Sequence, residues 1–244
     1  MNKILVTVAI VVLVLTGLVL AFPLQADPQG DKGSLEKITF IHYKDGHIKQ
    51  VNGNAKPASI ACYGFLAKGA KWKTTESYKI NPTNSQGLSQ ELIVNSTDAA
   101  DANWDNQVAF NIFGTGTVDY SASYNNGNLD GNNTLSFGSI SNTGAIAVTT
   151  VWGYFGGPVQ TRELIEWDML LDQVDFQWGD ATLDPTKMDV QNIITHEIGH
   201  SAGMGDLYQI QCAPQTMYGY STEGETSKRD LDSGDITGIK KLYS

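Results

Sequence analysis

Apolar and polar residues recur along most of the chain with the periods of regular structure. "KITFIHY" (Lys37–Tyr43) is a short β-branched and aromatic run, followed by a turn at Asp45-Gly46. In "KWKTTESYKINP", Tyr78 and Ile80 lie two apart and face one side of a strand that Pro82 ends. The period then lengthens. "GLSQELIVNSTDAADANWDN" predicts a helix capped by Ser89, with Leu92, Ile93, Ala99, Ala100 and Trp104 as its apolar stripe. "QVAFNIFG" and "NTLSFG" predict short strands on either side of the Asn-Gly-rich loop "NNGNLDGNN". "GAIAVTTVWGY" is a β-branched strand. In "ELIEWDMLLD", Ile165, Trp167 and Met169 alternate with Glu166 and Asp168, which predicts a half-buried strand with its acids toward water. "MDVQNIITHEIGHSAG" is the strongest helix, with Asp189 near its start and Gly203 at its end. "SGDITGIKKLY" closes the chain as a short helix carrying Asp235, Ile236, Ile239 and Leu242.

The order of strand, helix, several strands, helix, loop and helix predicts an α/β (α+β) domain with its key helix late in the chain. That domain spans residues 67–244, after a leader (1–26) and an N-terminal extension or short pro-segment (27–66). The leader begins "MNKILVTVAIVVLVLTGLVLAFPLQADPQ". Lys3 followed by a long apolar run predicts a secretory signal, and an uncleaved membrane anchor is the alternative. Membrane contact is expected only in that second case, and either reading takes the rest of the chain out of the cytoplasm.

Composition narrows the function. A formal charge of −10 gives nucleic acid no electrostatic reason to bind. The basic pairs Lys228-Arg229 and Lys240-Lys241 read as solvated faces. Only four histidines occur, and two of them stand at i and i+4 in "HEIGHSAGMGD". On a helix, His196 and His200 share a face and can point at one ion, while Glu197 projects beside them to hold an attacking water. Hydrolytic zinc needs three protein ligands and an open position. Gly203 allows the helix to stop in a left-handed turn, after which Asp206 is placed as the third ligand.

At these residues the sequence resembles the metzincin motif H-E-x-x-H-x-x-G-x-x-H/D. "PQTMYGYSTEGETSKRDLDSGDITGIKKLY" is similar to the end of the matrixin branch, and the likeness covers roughly residues 70–244. The resemblance implies a metzincin-like zincin catalytic domain: a mixed twisted sheet, an active-site helix, a Met-turn and a C-terminal helix. It implies a secreted zinc-dependent endopeptidase acting on protein or peptide substrates. His196, His200 and Asp206 would bind zinc, Glu197 would be the catalytic acid/base, and Met217 would form the apolar floor. The substrate would pair with the edge of "GAIAVTTVW", and the side chain after the cleaved bond would sit beside Tyr218–Ser221.

There are departures from the family pattern. Matrixins mostly use His where this chain has Asp206. The other histidines, His42 and His47, both lie in the extension, so a second, structural zinc is not expected. Calcium in the loop with Asp130, Asn132 and Asn133 stays open, since Asn-Gly turns look the same without an ion. Gly219 stands where some metzincins carry a zinc-reaching Tyr, and neither Tyr218 nor Tyr220 is assigned a role. Two other functions also remain open: a zinc hydrolase of cell-envelope peptide cross-links, and a non-catalytic surface protein that keeps the fold for binding. Cys62 and Cys212 have two readings. Either they form a disulfide, or Cys62 is a matrixin-type cysteine switch. "IACYGFLA" lacks the Arg, Pro and Asp of that switch, which would also leave Cys212 unpaired in an oxidising compartment, so the disulfide is expected.

Overall fold

The computed structural model describes residues 32–45 and 61–244. The leader, Gly46 and His47 lie outside the described residues. Among the described residues no helix is long and apolar enough to cross a membrane.

Among the described residues seven strands form one mixed sheet: β1 (Leu35–Lys44), β2 (Glu76–Ile80), β3 (Phe113–Val118), β4 (Thr134–Gly138), β5 (Ala145–Tyr154), β6 (Glu163–Asp172) and β9 (Tyr220–Ser221). Their spatial order is β3-β2-β4-β6-β5-β1-β9. The β2–β3, β2–β4 and β4–β6 pairs are parallel, whereas β5 runs antiparallel to β6 and to β1. Two-residue strands β7 (Trp178–Gly179) and β8 (Met188–Asp189) pair separately. Among the described residues three helices complete the α/β fold: α1 (Gln90–Asp105), α2 (Val190–Ser201) and α3 (Ser233–Tyr243).

The helices start where the sequence says they should. The Ser89 side chain accepts from Leu92 N, that of Asp189 accepts from Asn192 N, and Asp232 with Asp235 forms a capping box on α3. The core joins Ile93, Ala100 and Trp104 of α1 to Ile193, Ile194 and Ile198 of α2, with Trp167, Met169 and Leu171 of β6. The Trp104 indole N–H donates to Thr195 O of α2 (2.9 Å), and that of Trp72 donates to Ser201 O (2.7 Å). Both buried indoles therefore find a partner and fix α2 against its neighbours.

Two strand expectations are corrected. Only the last two residues of "QVAFNIFG" are strand. Before them the chain turns, because the Asp105 carboxylate accepts from Ile112 N (2.9 Å) and Phe113 N, satisfying amides that a ladder would otherwise take. In β6 the acids lie inside and Ile165 outside. Trp152 pairs with Glu166 and Gly153 with Leu164, so Ile165 is the extra residue of a β-bulge. Leu164 is turned inward and Ile165 is left 38% exposed. Glu166 and Asp168 are both 1% exposed, and Glu166 accepts from Asp130 N and Gly131 N of the Asn-Gly-rich loop.

Inside α1, Asp101 takes a hydrogen bond from the Tyr78 hydroxyl through one oxygen and leaves the other unpartnered. Burial raises its carboxyl well above the usual value; the Tyr78 bond opposes this, and Asp105 and Asp98 add to it. The folded state therefore keeps a proton that the unfolded chain releases near pH ~4. That contribution is complete below the unfolded pKa and is lost as pH rises toward the folded one. Asp101→Asn should gain melting temperature relative to wild type progressively from about pH 4 to pH 7. A difference that stays constant across that range would contradict the assignment.

Candidate metal centre

All of α2 from Asn192 to Ser201 is buried. Its start is clamped by Arg229, which donates to Asp189 (Nε–Oδ1, 2.8 Å) and to Asp180 (2.6 Å), while Ala181 N also donates to Asp189. Lys228 is buried too. Its ammonium donates to Tyr220 O and lies 3.6 Å from the Glu225 carboxylate, and its amide donates to Asn192 Oδ1. The Lys228-Arg229 pair is therefore structural, against the reading as a solvated face: it ties the segment around β9 to α2. Lys240 and Lys241 are exposed as expected.

One turn apart on α2, His196 and His200 bring their Nε2 atoms within 3.1 Å of each other. Asp206 Oδ1 lies 3.3 Å from each. A tetrahedral ion with bonds of about 2.0–2.1 Å separates its ligand atoms by about 3.3 Å, so the triangle has zinc dimensions. The imidazoles are oriented from behind. His196 Nδ1 donates to Thr216 O (2.7 Å), and His200 Nδ1 donates to Met204 O (3.0 Å). Each Nε2 is then a lone pair aimed at the centre, the usual support for a ligating histidine. The second Asp206 oxygen accepts from the Tyr208 hydroxyl (2.8 Å), while Oδ1 is buried with no hydrogen-bond partner among the described residues. Burial works against ionising Asp206, but His200 and His196 outweigh it and hold the carboxyl well below its usual range. Donor set, spacing and orphaned oxygen all fit a zinc ion.

Two turns make the triangle. Gly203 adopts φ 102°, and its amide and that of Met204 bond back to His200 O and Gly199 O, so the chain reverses toward Asp206. Downstream, Met217 is fully buried and packs on α2 at Gly199, where a Cβ would lie 2.2 Å from the Met217 sulfur and 2.7 Å from the Trp104 ring. The Asp235 carboxylate accepts from Thr216 N (2.7 Å) and Met217 N (3.2 Å), fixing the segment that carries the Thr216 carbonyl.

Glu197 is fully buried beside the triangle. One of its oxygens accepts from Thr149 Oγ1 of β5 (2.5 Å), and the other accepts from His42 Nδ1 of β1 (3.2 Å). Burial would raise the Glu197 carboxyl, but the His42 bond and the neighbouring His196 and His200 outweigh it and lower it. Neither His42 nor Thr149 was among the sequence candidates. His42 stands in the extension, 155 residues from its partner, so no local spacing could reveal it.

The edge of β5 expected to receive substrate is taken by the chain itself. β1 pairs with it from Leu35↔Tyr154 to Tyr43↔Ala145, then runs parallel to β9 at Tyr43↔Tyr220. Phe40 stacks on His200 at 3.8 Å, and the His42 ring lies 3.9 Å from that of His196.

Of the residues expected for calcium, Asp130 and Asn132 line one small pocket and Asn133 does not. Asn133 is committed elsewhere, accepting from Trp167 N and donating to Ser77 O, and Asn132 bonds to Asp130.

The H-E-x-x-H helix packed against a mixed sheet is the arrangement of zinc-dependent peptidases. Residues 71–244 match the profile of the matrixin family, and the chain belongs to that family: it is a zinc metallopeptidase, a hydrolase. No curated protein matches the chain.

Cys62 is bonded to Cys212, with Cα atoms 5.3 Å apart. A Cys62 switch has no thiol here to work with. The bond ties the start of the domain to the loop between Asp206 and Met217. Its 150-residue separation corresponds to about 4–5 kcal/mol of chain entropy. The double variant Cys62→Ser/Cys212→Ser should melt about 10 °C lower. An unchanged melting temperature would show that the bond does not hold the fold.

Proposed function

We propose that the protein is an exported zinc-dependent endopeptidase in which His196, His200 and Asp206 hold the ion and Glu197 moves the proton. One observation carries the reading. Three buried donor atoms stand 3.1–3.3 Å apart, both imidazoles are held through Nδ1 by carbonyls, and the carboxylate oxygen between them has no other partner. Zinc, when bound, supplies Lewis acidity that polarises the scissile carbonyl and acidifies water. Glu197 accepts the proton of the attacking water on the oxygen that now faces His42 and delivers it to the leaving amine. Thr149 holds the other oxygen and keeps the carboxylate aimed at the centre. Export is supported by the apolar leader and by a disulfide suited to an oxidising compartment. Retention of Glu197 beside the donors favours catalysis over a fold kept only for binding.

Purified protein should carry about one zinc per chain, and His196→Ala, His200→Ala or Asp206→Ala should each lose most of it. Casein should be cleaved by wild type or His42→Ala, with cleavage abolished by chelator. Glu197→Ala in either background should keep zinc and lose turnover by at least ~10²-fold. Full zinc in Asp206→Ala, or no chelator-sensitive cleavage in either background, would overturn the proposal.

A cation is also proposed at Asp168, a residue outside the calcium expectation. Its carboxyl is 1% exposed, the Thr134 hydroxyl approaches it without full hydrogen-bond geometry and opposes its upward shift, and Glu166 shares its face of β6. Burial first, then Glu166 and Asp130, push it up to about 8. A hard cation would take the place of that proton. Calcium added to zinc-loaded protein should raise the melting temperature of wild type and not of Asp168→Asn. Equal responses would leave Asp168 a buried protonated acid.

A further inference from the structure

We infer that β1 is an intramolecular occupant of the substrate cleft, held by Phe40 and His42 over the two histidines of the metal centre, and that the chain is latent until this strand leaves. The inference rests on the peptidase reading of the same site and adds its regulation.

The strand lies where an extended peptide would lie. It adds to the free edge of β5 as an antiparallel strand and meets β9 as a parallel one, the geometry of β-augmentation. Ile38, Phe40 and His42 alternate onto the face toward α2. Phe40 covers the His200 ring, and His42 covers His196 while bonding the Glu197 oxygen that would have to take a proton from water. A His42 ring nitrogen lies within 4.8 Å of the donor atoms of His196 and Glu197. With β1 in place, His42 is 1% exposed and Glu197 and His200 are fully buried, so no substrate carbonyl can reach the centre.

Several features mark the strand as a removable occupant. It lies outside the 71–244 span that defines the family domain, and it supplies no residue to the fully buried core. Leu35, Glu36, Lys37 and Thr39 are exposed, and Ile38, Phe40 and Ile41 are only half-buried. Its far edge borders a groove of about 480 Å³ against Phe65, Leu66, Asp206 and Tyr208, so the strand is gripped mainly along β5. Among the described residues His42 Nε2 is buried without a hydrogen-bond partner, which costs the closed state and is relieved when the strand withdraws.

The test uses the full-length chain loaded with zinc or with cobalt. Wild type is compared with Phe40→Ala, which removes no metal-capable atom, and with Phe40→Ala/His42→Ala. Relative to wild type, both variants should release zinc to a chelator at least roughly tenfold faster and cleave casein at least roughly tenfold faster, as expected when the Phe40–His200 stack no longer favours the closed state. Cobalt-loaded wild type should keep its visible spectrum on adding acetohydroxamate, whereas the variants should shift theirs. A synthetic peptide of residues 35–44 should restore inhibition of the double variant, and the same peptide with His42→Ala should not. Retention of the Cys62–Cys212 bond and an unchanged circular dichroism spectrum serve as the folding control. If zinc binds but release, spectrum and turnover are the same in all three proteins, β1 is a permanent strand and the inference fails while the peptidase reading stands. If no form binds zinc, the peptidase reading itself fails.

Discussion

The site depends on two hydrogen bonds from imidazole Nδ1 to backbone carbonyls, His196 to Thr216 and His200 to Met204. A helix can place two histidines one turn apart, but it cannot by itself choose which nitrogen carries the proton or how the rings turn. Both carbonyls lie downstream of α2, on segments held by other parts of the fold. Met204 is positioned by the left-handed turn at Gly203. Thr216 is positioned by Asp235, the carboxylate that also completes the capping box of α3. The closing helix therefore reaches the metal centre through one buried acid and one peptide unit, and preorganisation of the donors is spread over the last third of the chain.

The same frame explains how one edge can serve two occupants. β5 presents its ladder on one side to β6 and on the other to whatever extended segment arrives. Thr149 stays on Glu197 from within β5, so the carboxylate keeps one anchor when β1 leaves. The His42 contact is the exchangeable one. In this arrangement the burial that makes the donors strong also makes them inaccessible, and a single strand separates the two conditions.

Much of the fold was legible because it is written locally. The i, i+4 histidines, Gly203, Asp206, the Ser89 and Asp189 caps and the closing helix all follow from spacing within about three turns. The misreadings share one cause, contacts made far away in sequence. The bulge at Ile165 is set by β5, and it turns Leu164 inward and leaves Ile165 exposed, while Trp167 and Met169 stay in the core. Glu166 is covered by a loop more than thirty residues earlier. Lys228 and Arg229 look solvated until α2 and β9 are placed beside them. His42 is the sharpest case. In sequence it is one polar residue in a β-like run, and only the β1–β5 register brings it to Glu197.

The most direct test is a crystal structure of the zinc-loaded full-length protein, phased or verified by anomalous scattering at the zinc edge. A single strong peak enclosed by His196 Nε2, His200 Nε2 and Asp206 Oδ1, with both Nδ1–carbonyl bonds intact, is the expected result. A peak elsewhere, or an ion held without Asp206, would contradict the proposed centre.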